Sequence, residues 1–304
     1  VKRLDIALLF GILLAATIYA HLGSPLLASK VLCYVLVACA FHLLYDQTGL
    51  LSFGHAAFWG MGGYTYALLS LNTSLSLAST LGASAAVTAL GGVLVGLVSL
   101  KRAGIYFSMI TLACAQIFYF VALKHPLFKG EDGLPGVPRG TVLGTDLIAN
   151  PLASFAVVAL VVGLSLLAFL QLRGSLWGLK LRALRNNELR LNTLGHNTFA
   201  LKLGAFVLSA VFAGLAGALK VHTTQIVSLS DVHWTLSGEF VLMTLLGGLH
   251  SFWGPVIGAM VLIFLQNSLA GLGSVLVLIQ GLLFILAVFV PGGLVGLLKV
   301  TRNR

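Results

Sequence analysis

Apolar runs, each long enough to cross about 30 Å of hydrocarbon as a helix, recur along this chain. They cover about residues 4–22, 26–45, 49–71, 75–100 and 103–124, then 152–172 and 199–221. Backbone inside a bilayer has no water to pair with, so runs of this kind are read as helices that satisfy their own N–H and C=O groups. Of the 304 residues 59% are hydrophobic and only 9% are charged, against about 25% charged in an average soluble domain. That balance excludes a soluble globular protein, and disorder needs the opposite composition. The fold class that remains is an all-α, polytopic helical membrane protein, with residues 1–304 forming a single transmembrane domain.

The last third is less regular. The apolar run from Glu239 to Leu269 is interrupted by Gly247, Gly248, His250, Gly254 and Pro255, followed by a final span near 275–298. The interruption fits two short crossings or a broken, re-entrant pair. At the other end, Lys2 and Arg3 ahead of the 4–22 run imitate a secretory signal. That run has about 19 residues where a signal core has roughly 7 to 15, so it is kept as the first span.

The basic residues set the orientation. With the N-terminus inside, twelve of the 18 Lys and Arg residues fall on the cytoplasmic side, among them Lys101, Arg102 and the group from Arg173 to Arg190, and four fall outside. This is the positive-inside pattern rather than a phosphate-binding face, so the net charge of +10 gives no reason to expect a nucleic acid. Residues 125–151, with four of the seven prolines, form an external loop, and residues 173–198 a cytoplasmic one. That count places Lys299, Arg302 and Arg304 inside, which requires an odd number of crossings after His222. The expectation is about ten transmembrane segments, some broken, or eight if the Gly247–Pro255 break is only a dip.

Catalytic constellations are missing from the sequence. No Walker A sequence, HExxH or assignable Ser/His/Asp set occurs, and Cys33, Cys39 and Cys114 lie in apolar runs without metal-ligand spacing. No cofactor, metal or enzymatic activity is expected. Asp46 and Glu239 fall at estimated span ends, where an interfacial role is expected, and His42, His55 and His250 read as neutral imidazoles satisfied by nearby carbonyls. Most glycines read as helix packing. The exceptions are Gly49–Gly54 and Gly247–Pro255, because unwound backbone at membrane depth is tolerated only when it is buried or lines a cavity. The cytoplasmic loop carries an amphipathic stripe, Leu181, Leu184, Leu191 and Leu194, opposite Lys180, Arg182, Arg185, Asn187, Glu188 and Arg190. Gly195 ends that helix. Such a helix either rests on the membrane surface or docks into a soluble partner.

Six segments carry a resemblance. They are TGLLSFGHAAFWGMGGYTYALL (Thr48–Leu69), GIYFSMITLACAQIFYF (Gly104–Phe120), GEDGLPGVPRG (Gly130–Gly140), GLKLRALRNNELRLNTLGHNTFALKLGAFVLSAVFAGLAGAL (Gly178–Leu219), LLGGLHSFWGPVIGA (Leu245–Ala259) and VPGGLVGL (Val290–Leu297). In this order they resemble permease subunits of bacterial ABC importers for branched-chain amino acids, the LivM type. The resemblance implies a transport subunit of the inner membrane that works with two ATPase subunits, a second related permease in a heterodimer, and a periplasmic binding protein that delivers leucine, isoleucine or valine. ATP hydrolysis would then belong to the partner subunits. It also implies that Arg182, Arg185, Asn187, Glu188 and Gly195 belong to an ATPase-coupling helix. Ser52, Gly54, His55, Gly247, Gly248 and Gly254 are the expected lining of the substrate path, since unwound amides and carbonyls suit a zwitterion. An importer for urea or short amides and an autonomous secondary transporter are the alternatives.

Overall fold

The computed structural model describes residues 3–140, 150–249, 251–289 and 292–296. His250, most of the basic residues of both termini and part of the 125–151 loop lie outside them. Twelve α-helices make up the described chain: α1 (Arg3–Leu22), α2 (Pro25–Thr48), α3 (His55–Asn72), α4 (Leu77–Ser99), α5 (Ile105–Lys124), α6 (Pro151–Gly174), α7 (Leu176–Asn186), α8 (Glu188–Thr193), α9 (Thr198–Thr224), α10 (Trp234–Gly247), α11 (Gly254–Ser268) and α12 (Ser274–Phe289). The chain is a polytopic helical membrane protein. By length and composition, α2, α4, α5, α6 and α9 can each cross a membrane.

Helix ends follow local chemistry. Ser24, Ser76, Asn150, Ser175 and Asn197 each accept a backbone N–H of the helix that follows them, which satisfies donors left without an intrahelical partner. Pro25 and Pro151 occupy first-turn positions, where the absent N–H costs nothing. Gly49, with φ +74, closes α2 in the left-handed conformation and donates to the Tyr45 carbonyl.

α2 is the axis of the bundle. It is buried on all sides, with Leu32, Val35, Leu36, Ala38 and Leu44 fully covered, and it packs against α1, α6, α7, α9, α10 and α11. The most extensive packing joins α3 to α9: the backbone of Gly214 fills the space where a Cβ on Gly62 would stand, and that of Trp59 fills the space beside Gly217. Gly91 and Gly92 bring α4 against Met61 and Ala210 in the same way.

Contacts mark the two ends of the bundle. At one end Trp253 Nε1 donates to Asp5 (3.3 Å) and Arg185 meets Asp46. At the other, the Tyr19 and Phe264 rings meet edge to face, and a short antiparallel pair joins β1 (Leu134–Pro135) to β2 (Ile226–Val227). β1 lies in residues 125–151 and β2 just after α9, a pairing that the apolar runs do not predict. At the same end, His222 is held by Tyr66 (2.9 Å) and Ser154 (3.0 Å), tying α3, α6 and α9.

Three boundaries differ from expectation. α3 begins at His55 rather than near residue 49, because Leu50–Gly54 is unwound, as the Gly49–Gly54 stretch predicts. Glu239 lies within α10 instead of at a span end, since that helix already starts at Trp234. The amphipathic helix of the 173–198 loop is two helices, broken at Asn187.

Candidate functional site

α7 and α8 form an elbow at the end of the bundle that carries Asp46. Gly178 makes the turn from α6 possible, since any side chain there would strike the Leu172 and Arg173 carbonyls. Arg182 then donates to the Arg173 carbonyl at 2.8 Å, placing a cation on the last turn of α6, the favourable end of the helix dipole. Asn187 ends the first arm. Its extended backbone and its side-chain oxygen, which accepts the Arg190 N–H at 2.9 Å, make it the N-cap of α8. Cap chemistry prevails here over the apolar period: Leu181, Leu184 and Leu191 are buried, but Leu194 turns outward and is 70% exposed. Gly195, at φ +82, lets the chain leave α8.

Two charged contacts fasten the elbow to the bundle. The Arg185 guanidinium donates to the Asp46 carbonyl at 2.7 Å, lies 3.6 Å from the Asp46 carboxylate and faces the Tyr45 ring. Arg173 approaches the same carboxylate at 3.8 Å. An acid at a helix C-terminus opposes the dipole, and the two arginines offset it; Asp46 is therefore a tied acid rather than a bland interfacial one. On the other arm, Lys202 of α9 donates to Glu188 at 2.6 Å. The inner face of the elbow is thus bound to α2 and α9. Its outer face presents Leu176, Leu179, Leu189 and Leu194 with Lys180 and Arg190, all exposed.

The residues expected along the substrate path occupy two places. Ser52, Gly54 and His55 sit where the unwound Leu50–Gly54 segment runs back into the bundle. There side-chain hydroxyls replace the missing helical partners. Ser108 of α5 donates to the Leu51 carbonyl (2.5 Å), Thr111 accepts the Phe53 N–H (3.2 Å), Ser52 accepts the Gly54 N–H (3.2 Å), and Ser237 of α10 accepts the Ala56 N–H (2.9 Å). Ser209 of α9 spends its proton on the Ala40 carbonyl (2.6 Å). His55, 2.8 Å from the same hydroxyl, therefore donates from Nε2, and its Nδ1 lies beside the Ser52 backbone without a hydrogen bond of its own.

Gly247, Gly248 and Gly254 form a different structure, the joint of an antiparallel α10–α11 hairpin. Gly247 faces the Gly254 carbonyl, Gly254 faces that of Gly248, and Gly258 faces that of Met243, each with no room for a Cβ. Gly248, at φ +115, also meets the backbone of Gly292 and Gly293. His42 Nε2 donates to the Leu249 carbonyl at 2.9 Å and anchors the turn to α2. The two places lie on opposite sides of α2, since Ala40 faces one and His42 the other, about 200° apart around the helix.

Sequence reasoning missed the hydroxyls of Ser108, Thr111, Ser209 and Ser237. Their signal was faint but present: Ser and Thr inside apolar runs are the residues that re-satisfy freed backbone in membranes. It also missed the Lys220–Asp231 pair, 2.7 Å apart and nearly buried, which secures the chain between β2 and α10. Among the described residues no group of three His, Cys, Asp or Glu side chains could hold a metal.

A family model for the permease component of branched-chain amino acid transport systems matches residues 25–290. The high-affinity branched-chain amino acid transport system permease protein LivM of Salmonella typhimurium is 25% identical, with 100% of this chain and 76% of the relative covered. Its Escherichia coli counterpart is 25% identical, over 93% of this chain and 71% of the relative. The guanosine ABC transporter permease protein NupQ of Bacillus subtilis is 24% identical over 56% of this chain and 52% of the relative. No solved structure matches.

Proposed function

Because this chain belongs to the family of branched-chain amino acid transport system permease components, we propose that it forms half of the membrane path of an ATP-driven importer of leucine, isoleucine and valine. The observation that carries this reading is the elbow: two short helices fastened to α2 and α9 on the inside, with an unpartnered apolar and basic face outside. In this reading the outer face docks on an ATPase subunit at the cytoplasmic side, and closure of two such subunits moves α2 and α9 through Arg185 and Glu188. Arg182, Asn187 and Gly195 set the shape of the elbow. A second, related permease completes the path in a heterodimer, and a binding protein delivers substrate at the external end, where residues 125–151 and β2 lie. The ten longer helices cross the inner membrane of a bacterium, with both termini cytoplasmic.

The substrate path runs beside the two breaks, Ser52–His55 and Gly247–Gly254. Unwound backbone and a shared set of hydroxyls can exchange partners during a rocking motion, which a continuous helix cannot. Amino acids are favoured over a nucleoside because the LivM relatives align along nearly all of the chain and the guanosine permease along about half.

The experiment recovers the tagged protein from its own membranes in mild detergent, identifies co-purifying proteins by mass spectrometry, and reconstitutes the complex for ATP-driven uptake of labelled leucine, guanosine or urea. A Walker A ATPase, a second permease and leucine uptake are expected. Recovery of the protein alone, or uptake of guanosine or urea but not leucine, overturns the reading at the level of partners or of substrate.

A further inference from the structure

Lys30 and Glu239 are opposite charges that approach without joining. Lys30 lies in the second turn of α2, Glu239 six residues into α10, and Gln266 in the last turn of α11, so all three stand at the external end of the bundle. Each is half-buried. Gln266 donates to one Glu239 oxygen at 3.1 Å, and the other oxygen has no hydrogen bond among the described residues. No described carboxylate comes within ion-pair distance of Lys30, and its ammonium hangs 5.9 Å from the centre of the Tyr34 ring. Tyr34 in turn packs on Trp59 and on Phe240, the neighbour of Glu239.

A carboxylate with an idle oxygen in an apolar helix is costly and persists where a cation arrives to meet it. The ammonium is in the mirror-image situation. A ligand that carries an ammonium and a carboxylate on one carbon satisfies both, each group making a charge-assisted bond of about 2.8 Å, and that is an α-amino acid. We propose that Glu239, Gln266 and Lys30 form an external zwitterion site, with Glu239 and the Gln266 carbonyl receiving the ammonium and Lys30 the carboxylate. The site reads the backbone of the amino acid and not its side chain, so it admits leucine, isoleucine and valine alike. This rests on the amino-acid reading given above.

The test uses the native complex in proteoliposomes and a diazirine-bearing leucine as photolabel, with uptake of labelled leucine measured in parallel. Label is expected in peptides of α2, α10 or α11. Leucine should compete with it, while leucinamide and 4-methylpentanoate, which each lack one charge, should compete at least about tenfold more weakly. Glu239→Gln and Lys30→Gln should each lower labelling by about tenfold, and Glu239→Asp should retain most of it. Label confined to other helices, equal competition by the singly charged analogues, or restored uptake in a charge-exchanged Lys30→Glu, Glu239→Lys protein overturns the site, the last by showing an ordinary ion pair. If a variant fails to assemble, the competition series on the unaltered complex decides alone. A native complex that takes up no leucine overturns the substrate reading and this site with it, whereas leucine uptake with label elsewhere overturns the site only.

Discussion

Arg185 binds Asp46 twice, at the backbone carbonyl (2.7 Å) and beside the carboxylate (3.6 Å), and so joins α7 to the last turn of α2. Arg185 is 37% and Asp46 15% exposed, so solvent screening limits what the pair adds to stability to about 1 kcal/mol or less. Arg185→Ala should therefore leave membrane level and unfolding temperature near those of the unaltered protein while lowering ATP-driven uptake severalfold. Uptake that stays unchanged, measured beside the detergent-solubilised Tm, would remove Arg185 from the coupling route.

The α3–α9 contact makes the opposite prediction, loss of the fold. Gly62 and Gly217 face backbone atoms that cannot move aside like a side chain, and overpacking typically costs about 1–3 kcal/mol or more. Gly62→Leu and Gly217→Leu should sharply reduce the amount of protein in the membrane and its Tm. Gly82→Leu, with open space around it, should do neither.

Ser209 serves two partners at once, His55 and the Ala40 carbonyl. Ser209→Ala strands the His55 Nε2–H alone, because the Ala40 carbonyl keeps its helical partner within α2, and a stranded polar group costs about 1–3 kcal/mol in a buried site, nearer the lower figure inside a membrane bundle. Adding His55→Phe removes the stranded group, so the double variant should unfold at a higher temperature than Ser209→Ala alone. A double variant that is less stable by the sum of both losses would mean that His55 does more than satisfy Ser209.

Orientation can be read with thiol reagents that do not cross membranes. In a background without Cys33, Cys39 and Cys114, Lys101→Cys and Arg190→Cys, both exposed and at the elbow end, should react only from the cytoplasm. Glu131→Cys and Gly136→Cys, exposed near the strand pair, should react only from outside. The reverse pattern would invert the whole topology, and with it the side on which an ATPase could dock.

Apolar runs told nearly all of the helices because burial in lipid and burial in protein ask for the same residues. The apolar run alone continues through Leu50–Gly54 into α3; the Gly49–Gly54 stretch marks that segment as unwound, and the hydroxyls that satisfy it come from α5 and α10, distant in sequence. The break at Asn187 was legible in principle, since Asn followed three residues later by a free N–H is a cap, but the leucine stripe running past it suggested continuity. Of the expected site residues, Arg182, Arg185, Asn187, Glu188 and Gly195 come together in one elbow. The six expected along the path divide around α2, a three-dimensional fact that no spacing in one sequence encodes. Lys30 and Gln266 drew no notice because a single polar residue near a span end is common; what sets them apart is that Glu239 lies between them.

α2 is covered on every side, yet much of what covers it is made far later by the ribosome. The hairpin of α10 and α11, with 14 and 15 residues, spans only about 21 to 23 Å as helix and so cannot lodge in a bilayer of about 30 Å as readily as its longer neighbours. Biogenesis thus has an order imposed on it: α2 must wait in lipid, sustained by its largely apolar middle, until nearly two hundred further residues have been synthesised. The late hairpin then enters a place already prepared for it, and a chain arrested before Trp234 should leave the oldest buried helix open to the membrane on one flank.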